Sequence, residues 1–200
     1  MARLLLIRHA PTPETGKRLT GRLGGVSLGA KGEEVAQRTA DRLASMMIDA
    51  IYTSPIERTA ETAAIIAKPH GLHPVKETGV IEVDFGTWQG KTLTQMRRMK
   101  LFKQVVANPS QVTFPEGESF PEVQLRAVAA CNRIAANTGR GTAAIVSHSD
   151  VIKTILAHYL GQPLDLFQRM VVAPASVSVV HVPTEGPPVV QTINTFGAIE

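Results

Sequence analysis

Residues 3–9 have the sequence RLLLIRH, and residues 142–148 have the sequence TAAIVSH. Each stretch is a short, continuous apolar run that ends on a histidine. Runs of this kind are typical of strands buried on both faces of a parallel sheet. Ligands of open α/β sheets bind at the carboxyl ends of the strands, so we expect the polar groups after the two runs to meet in one crevice.

The rest of the chain alternates helix patterns with strand patterns. Apolar residues recur every three to five positions from about 31 to 47, which predicts an amphipathic helix. Ser54-Pro55-Ile56-Glu57 predicts a helix start in which Ser54 and Glu57 form a capping box, with the helix running to about residue 67. The other predicted elements are strands at about 49–53 and 142–147, an extended piece near 73–76, helices at about 92–104, 119–137 and 150–160, and a closing hairpin of Val177–Val182 with Val189–Ile193.

This alternation predicts an α/β fold. We expect a three-layer α/β/α sandwich with a largely parallel central sheet and an antiparallel C-terminal strand. The 200 residues, of which 44% are hydrophobic and 19% charged, are typical of one compact domain spanning 1–200. The loop from about 10 to 29 is long enough to suggest a functional role.

Composition narrows the class of partner and the compartment. The net charge of +4 is modest and aromatic residues make up 4%, which favours a small anionic ligand over nucleic acid. No apolar stretch approaches the length of a membrane span. Cys131 is the single cysteine, so no disulfide within the chain and no cysteine-based zinc site is expected, and the cytoplasm is the favoured compartment.

The expected crevice is cationic. Arg8 and His9 follow the first strand, His148 follows the later one, and Arg58 lies in the first turn of the helix after Ser54. Two guanidinium groups, two imidazoles and two helix N-termini supply the donors that a tetrahedral, multiply charged phosphoryl group requires. The residues by themselves therefore point to phosphate chemistry.

These residues also carry a family resemblance. Leu6-Ile7-Arg8-His9-Ala10 resembles the signature of the histidine phosphatase superfamily, whose fold is phosphoglycerate mutase-like. Four further segments follow in the family's order, and the resemblance extends from residue 3 to about 160. They are 54–63, similar to its second arginine motif; 82–90, similar to the segment with its acid/base glutamate; 115–119, similar to its Pro-x-Gly-Glu-Ser turn; and 146–149, similar to its second histidine motif.

The resemblance implies a role for five residues. His9 would be the nucleophile that becomes a transient phosphohistidine, and Arg8, Arg58 and His148 would hold the phosphoryl oxygens. Glu82 would protonate the leaving alkoxide and then deprotonate the attacking water. No metal and no cofactor is implied. General chemistry supports the role of His9 as nucleophile, because a neutral imidazole is a good nucleophile near pH 7 when an acceptor holds its other nitrogen.

Substrate contacts are expected at four positions. Thr20 and Gly21 resemble the loop where relatives bind the part of the substrate that is not transferred. Thr15 stands where many members have an asparagine that reaches the phosphate, and Ser149 replaces the glycine after the second histidine. Ala10 likewise replaces the glycine after the nucleophile. We expect Thr15, Thr20, Gly21 and Ser149 to bind substrate.

Three functions remain as hypotheses. The favoured one is a metal-independent phosphatase acting on a small phosphorylated metabolite. A 2,3-bisphosphoglycerate-dependent phosphoglycerate mutase is the first alternative, but such mutases carry an insertion after the glutamate segment that is absent here, and Glu82-Val83-Asp84-Phe85-Gly86 resembles the phosphatase branch. A non-catalytic phosphate-binding module is the second alternative, although none of the five residues is missing.

Two sets of residues have open interpretations. Apolar residues of the helix at 92–104 form either a lid over the pocket or that helix's buried face; they are Met96, Met99, Leu101 and Phe102. The closing hairpin is either a free edge or a homodimer contact. His70 and His73 are spaced like a metal pair but have no third ligand nearby in sequence, so no metal site is predicted there.

Overall fold

Six strands form one mixed sheet in the computed structural model, which describes residues 1–199. The strand order is β3-β2-β4-β1-β5-β6. The strands are β1 Ala2–Arg8, β2 Ala50–Thr53, β3 Val75–Lys76, β4 Thr142–Ser147, β5 Val177–Val182 and β6 Val189–Thr195. The pairs β1–β4, β4–β2 and β2–β3 are parallel, whereas β5 is antiparallel to β1 and β6 is antiparallel to β5. The predicted sheet, largely parallel with an antiparallel C-terminal part, is confirmed.

Side chains of β1 alternate between two apolar cores. Leu4 and Leu6 pack in the core that includes residues of α5 and α6, whereas Leu5 and Ile7 pack in the core that includes residues of α1 and α2. Successive side chains of a strand point to opposite faces, so a continuous apolar run is what two helix layers require. The helices are α1 Gly29–Leu43, α2 Glu57–Ala67, α3 Leu93–Arg97, α4 Lys100–Ala107, α5 Phe120–Thr138 and α6 Ser149–Tyr159.

The predicted capping box at the start of α2 is wrong. The helix begins at Glu57, and its N-cap, Ile56, makes no side-chain capping bond. The Ser54 hydroxyl instead lies 2.8 Å from Nε2 of His148. Glu57 is also engaged elsewhere, because its carboxylate accepts the N–H of Gly25 at 3.0 Å. The Ser54 hydroxyl therefore makes a tertiary contact with His148, and α2 starts later than its local pattern predicts.

The predicted helix at 92–104 is two short helices. α3 starts with a capping box of Thr92 and Gln95, and the chain leaves helical geometry at Met99, whose backbone is extended. Met96 from α3 is buried in the core on the α5 side of the sheet, and Phe102 from α4 packs against the same core. The break lets two helices of different direction cover one aromatic cluster.

Other elements agree with the sequence patterns, with shifted ends. α1 stops at Leu43 rather than at 47, and α5 begins at Phe120 after a capping box of Ser119 and Glu122. The hairpin of β5 and β6 is confirmed. β6 lies at the edge of the sheet, and a homodimer contact there stays a prediction.

A chain of aromatic contacts connects the segment after residue 82 to α5. Phe114 is at its centre, with ring centroids 5.0 Å from Phe85, 5.4 Å from Trp88 and 5.6 Å from Phe120. Phe120 also lies 4.8 Å from Phe167. Edge-to-face contacts of this kind add to the stability gained by burial. The cluster thereby ties the middle third of the chain to the helix layer.

Phe120→Ala is expected to lower the free energy of unfolding by roughly 3–5 kcal/mol, because it leaves a cavity where two aromatic contacts are lost. Phe120 is 1% exposed, and Leu125 on the same helix is 75% exposed. Leu125→Ala is therefore the control, with an expected change within about 0.5 kcal/mol. Urea unfolding followed by circular dichroism measures both, and equal losses would contradict the assigned core.

Candidate active site

The carboxyl ends of β1, β4 and β2 lie side by side. Arg8 at the end of β1 pairs with Ser147 at the end of β4. The N–H of His9 donates to the Ser147 carbonyl at 2.9 Å, and the N–H of Ser54, just after β2, donates to the Val146 carbonyl at 3.0 Å. These backbone contacts bring the predicted polar clusters into one crevice.

Hydrogen bonding selects one tautomer of the buried His9 ring. Nδ1 lies 2.7 Å from the carbonyl of Ala10, so Nδ1 carries the proton and donates it. Nε2 accepts from Nε of Arg58 at 3.3 Å. Burial, reinforced by the positive charge of Arg58, lowers the pKa of His9 to about 3. At neutral pH the ring is an uncharged imidazole with an unprotonated Nε2.

Arg58 places a fully buried guanidinium behind the two histidines. Its Nη2 donates to the carbonyl of Gly21 at 2.8 Å and lies 3.2 Å from Nδ1 of His148. Within residues 1–199, its ion-pair partner is Glu82, at 3.8 Å from Nη2 to Oε2. Nη1 is buried and has no hydrogen-bond partner in the described chain. A buried guanidinium with a spare donor is suited to an oxyanion.

Arg8 brings a second guanidinium from the end of β1. Its Nη1 donates to the carbonyl of Val172 at 2.7 Å, which anchors the side chain. Its Nε is buried and finds no acceptor among residues 1–199. Both arginines therefore have buried N–H groups that the described protein does not satisfy, and an unsatisfied buried donor is costly unless a ligand accepts it.

His148, directly before α6, is fully buried and also neutral. A guanidinium can only donate, so Nδ1 of His148 accepts from Arg58 and Nε2 donates to the Ser54 hydroxyl. Burial and the charge of Arg58 hold the pKa of His148 well below its usual value. A dianion entering the crevice would favour the protonated form of this ring.

Glu82 is the carboxyl group of the crevice. Its Oε2 lies 3.5 Å from Nδ1 of His148, and its Oε1 accepts the N–H of Val83 at 3.0 Å. Burial raises the pKa of Glu82 to about 7, although the positive charge of Arg58 opposes the shift. A carboxyl group with this pKa can both donate and accept a proton near neutral pH.

Two arginines hold the backbone at Glu82. Nε of Arg22 donates to the Glu82 carbonyl at 2.8 Å, and Nη2 of Arg126 donates to the same oxygen at 3.2 Å. Oε2 of Glu118 bridges the two guanidinium groups, at 2.9 Å from each. Charge-assisted hydrogen bonds are stronger than neutral ones, so this set restricts where Glu82 can lie. Sequence analysis missed Arg22 and Arg126, because both lie outside the five motifs.

The loop that carries Glu82 packs against the turn at 115–118 through two glycines. A Cβ on Gly86 would lie 2.0 Å from the carbonyl oxygen of Pro115, and a Cβ on Gly117 would lie 2.3 Å from the carbonyl oxygen of Asp84. Neither approach leaves room for a side chain. Two segments that are distant in sequence are thus in direct backbone contact below the crevice.

A pocket of about 150 Å³ opens among these groups. All four candidates for substrate contact line it, together with Arg8, His9 and Glu82; the candidates are Thr15, Thr20, Gly21 and Ser149. Oγ1 of Thr15 accepts the N–H of Thr12 at 2.9 Å and so shapes the loop as well. The structure brings the predicted residues together, while their roles in catalysis and binding stay predictions.

Alanine and serine fit the two positions where the family pattern has glycine. Neither Ala10 nor Ser149 is among the residues with a positive φ angle in the described chain. Ala10 is fully buried, and its N–H donates to Oγ1 of Thr62 at 3.1 Å. These departures therefore introduce no backbone strain into the site.

The pocket also contains residues that sequence analysis missed; they include Glu14, Arg18, Leu19, Phe85 and Asp150. Asp150 follows Ser149 in the first turn of α6, and Phe85 lies within the glutamate segment. For these two residues, proximity to a motif could have indicated a position in the pocket. The other three lie in the 10–29 loop, where no periodic pattern marks a contact.

Two features are absent from residues 1–199. No group of three or more His, Cys, Asp and Glu side chains in this range has the geometry to hold a metal ion. No helix in the same range combines the length and apolarity needed to cross a membrane.

Comparison with known proteins identifies the family. A model described as the histidine phosphatase superfamily (branch 1) matches residues 4–195. The chain belongs to this superfamily. The match confirms the resemblance carried by the five motifs and the prediction of a phosphatase-type enzyme with a phosphoglycerate mutase-like fold.

Relatives within the superfamily have different names. Phosphoserine phosphatase 1 of Hydrogenobacter thermophilus is 31% identical over 186 residues, which are 90% of this chain and 87% of that protein. A probable phosphoglycerate mutase GpmB of Yersinia enterocolitica is 29% identical over 180 residues, covering 89% of this chain and 84% of its own. The solved structure of Bacillus stearothermophilus YhfR has a TM-score of 0.90 at 29% identity and covers 100% of this chain and 98% of its own. The chain spans 54% of the length of longer mycobacterial relatives that are 30% identical to it.

Glu82→Gln is expected to increase stability at alkaline pH. The folded-state pKa of about 7 lies above the ordinary value of 4.5, so the contribution of Glu82 to stability is complete below about pH 4.5 and is lost as pH rises through 7. Glutamine does not titrate. The free energy of unfolding of the variant minus that of the wild type should therefore rise by up to about 3 kcal/mol between pH 4 and pH 8.

Urea unfolding at several pH values measures this difference. Glu33→Gln, at an exposed position of α1, is the matched control and should show no such trend. A difference for Glu82→Gln that stays constant with pH would contradict the raised pKa.

Proposed function

We propose that this protein is a metal-independent phosphatase that hydrolyses a small phosphate monoester through a phosphohistidine on His9. The observation that carries the proposal is the His9 ring, which lines the pocket and whose Nδ1–H is held by the Ala10 carbonyl, so that Nε2 is left unprotonated. Arg8 and Arg58 add buried N–H groups that the described protein leaves unsatisfied. Nucleophile and oxyanion donors are thus in one place.

In the first step, Nε2 of His9 attacks phosphorus and the bond from phosphorus to the ester oxygen breaks. Arg8 and Arg58 stabilise the charge on the three remaining oxygens, as preorganised donors do in phosphoryl transfer. His148 contributes a donor once the bound dianion has favoured its protonated form. Glu82 gives its proton to the leaving alkoxide. Its pKa of about 7 supports this role, because the carboxyl group can then hold a proton near neutral pH.

In the second step, water attacks the phosphohistidine and the bond from phosphorus to Nε2 breaks. Glu82, now ionised, takes a proton from that water. The products are inorganic phosphate and the starting imidazole, so protons balance over the cycle. The hydrogen bonds of Arg22 and Arg126 to the Glu82 carbonyl, together with their ion pairs to Glu118, support the proposal. One carboxyl group that serves both steps has to keep its position.

The substrate proposed is a small phosphorylated metabolite in the cytoplasm, and no metal or organic cofactor takes part. The modest size and polar lining of the pocket support a small anionic group. Cys131 is free and buried, which fits a reducing compartment.

His9→Ala is expected to lower phosphate release from an aryl phosphate by at least about 10³-fold, because the nucleophile is lost. Phosphate release is measured in EDTA, since the proposed mechanism uses no metal. His73→Ala, at an exposed position outside the pocket, is the control and should keep full activity. Full activity of His9→Ala, or loss of wild-type activity in EDTA, would refute the proposal.

Phosphorus NMR with 3-phosphoglycerate separates hydrolysis from isomerisation. Inorganic phosphate is the product expected from the phosphatase. Formation of 2-phosphoglycerate that 2,3-bisphosphoglycerate stimulates would instead establish a mutase.

Glu82→Gln is expected to slow alkyl phosphates by roughly 10²–10⁴-fold and activated aryl phosphates far less, because only a poor leaving group needs its proton. Steady-state kcat/KM for both substrates gives the comparison. In the wild type, kcat/KM for alkyl phosphates should fall as pH rises through about 7, the pKa of Glu82, and this limb should be absent from the variant. Equal slowing of both substrate types would show that Glu82 is not the acid.

A further inference from the structure

A second cavity, of about 310 Å³, lies beside the pocket that holds His9. Residues of α3 and α4 form one side, including Met96 and Phe102, and the aromatic cluster around Phe114 forms the other. This volume is in the range of small-molecule sites in proteins. The cavity is therefore large enough to receive a small organic group.

The two cavities adjoin each other, since Leu19, Phe85 and Asp150 line both of them. Phe85 lies three residues after Glu82, the proposed acid. A leaving group whose ester oxygen faces Glu82 would therefore extend past Phe85 into the second cavity.

The lining of the second cavity is mostly apolar. Among its polar members, Gln168 already accepts a hydrogen bond from Lys153 at 3.0 Å. Trp88 is buried, and its indole N–H has no hydrogen-bond partner within residues 1–199. The cavity thus suits a hydrocarbon skeleton that carries at most a few polar atoms.

Charge at the junction limits the leaving group further. Asp150 places a carboxylate where the two cavities meet. Its Oδ1 lies 3.8 Å from Nζ of Lys153, and it also attracts the guanidinium of Arg8, which lines the same polar pocket. A leaving group that bears its own carboxylate would meet a like charge there. A neutral leaving group would not.

Exposed apolar side chains at the rim show that the cavity is open to solvent. Val106 on α4 is 55% exposed and Leu93 at the start of α3 is 39% exposed, and both line the cavity. Apolar surface beside a polar catalytic pocket is a common mark of a ligand site. Met96 and Phe102 thus pack in or against the core and also line the cavity, whereas Met99 and Leu101 pack against the core and are not among the residues that line the cavity.

We infer that the substrate is the phosphate monoester of a neutral, mainly apolar alcohol or phenol, whose hydrocarbon part occupies the cavity under α3 and α4. This inference rests on the proposed phosphatase function and adds the class of its leaving group. Specificity then comes from burial of apolar surface beside the phosphate pocket.

Straight-chain alkyl phosphates from ethyl to octyl test the inference, because their leaving alcohols differ in length and hardly in acidity. The wild-type kcat/KM should rise by up to about fourfold per methylene until the cavity is filled. Glycerol 3-phosphate, phosphoserine and 3-phosphoglycerate serve as polar comparators. Each should be at least about 10-fold poorer than hexyl phosphate.

Val106→Asp tests the cavity itself, with Val189→Asp as the matched control. Val189 lies on the edge strand β6 outside the cavity and is 56% exposed, nearly the same as Val106. Val106→Asp should lower kcat/KM for hexyl phosphate at least about 10-fold and leave ethyl phosphate within about threefold, whereas Val189→Asp should change neither. Leu93→Asp, at the other rim position, provides a second variant if Val106→Asp does not fold.

The outcomes separate the two proposals. Phosphate release that does not depend on chain length, or equal loss of ethyl and hexyl phosphate activity in Val106→Asp, overturns the inference and leaves the phosphatase in place. Absence of phosphate release from every ester, including 4-nitrophenyl phosphate, overturns the proposed function and the inference with it.

Discussion

The buried guanidinium of Arg58 is the interaction on which the rest of the site depends. A charge removed from water has to be compensated by hydrogen bonds or an opposite charge. Arg58 contacts the Gly21 carbonyl and both histidine rings, yet its partner carboxylate, Glu82, is 3.8 Å away. Burial, reinforced by the positive charge of Arg58, lowers the pKa of His9 and His148, which keeps both rings neutral.

Glu82 differs from the two histidines, because its proposed acid/base role needs a proton on the side chain at neutral pH. Burial raises its pKa and the distance to Arg58 limits the opposing effect. The position of Glu82 is maintained from behind, where Arg22 and Arg126 share its carbonyl oxygen and Glu118 bridges both. The charges that restrain the backbone are thus separate from those that set the protonation of the side chain.

Much of the architecture could be predicted locally, and the errors have physical causes. Continuous apolar runs predicted the strands because two helix layers cover both faces of the sheet. The cap at Ser54 was wrong because His148, 94 residues away, binds its hydroxyl. The helix at 92–104 breaks at Met99, where two shorter helices cover one aromatic cluster better than a single straight helix. The grouping of Arg8, His9, Arg58, Glu82 and His148 followed from motif order and the rule that ligands bind at the carboxyl ends of strands.

The sequence by itself determined the family, the order of the elements and the residue types available for chemistry, because these are properties of motifs and of local periodicity. Only the tertiary structure decided the tautomer of His9, the raised pKa of Glu82 and the placement of an apolar cavity next to the polar pocket. Each of these depends on groups that are far apart in the chain, such as Arg58 with His9 or Phe85 with Phe114. Burial and distance between such groups set their protonation and hydrogen bonding, and no local pattern encodes either quantity.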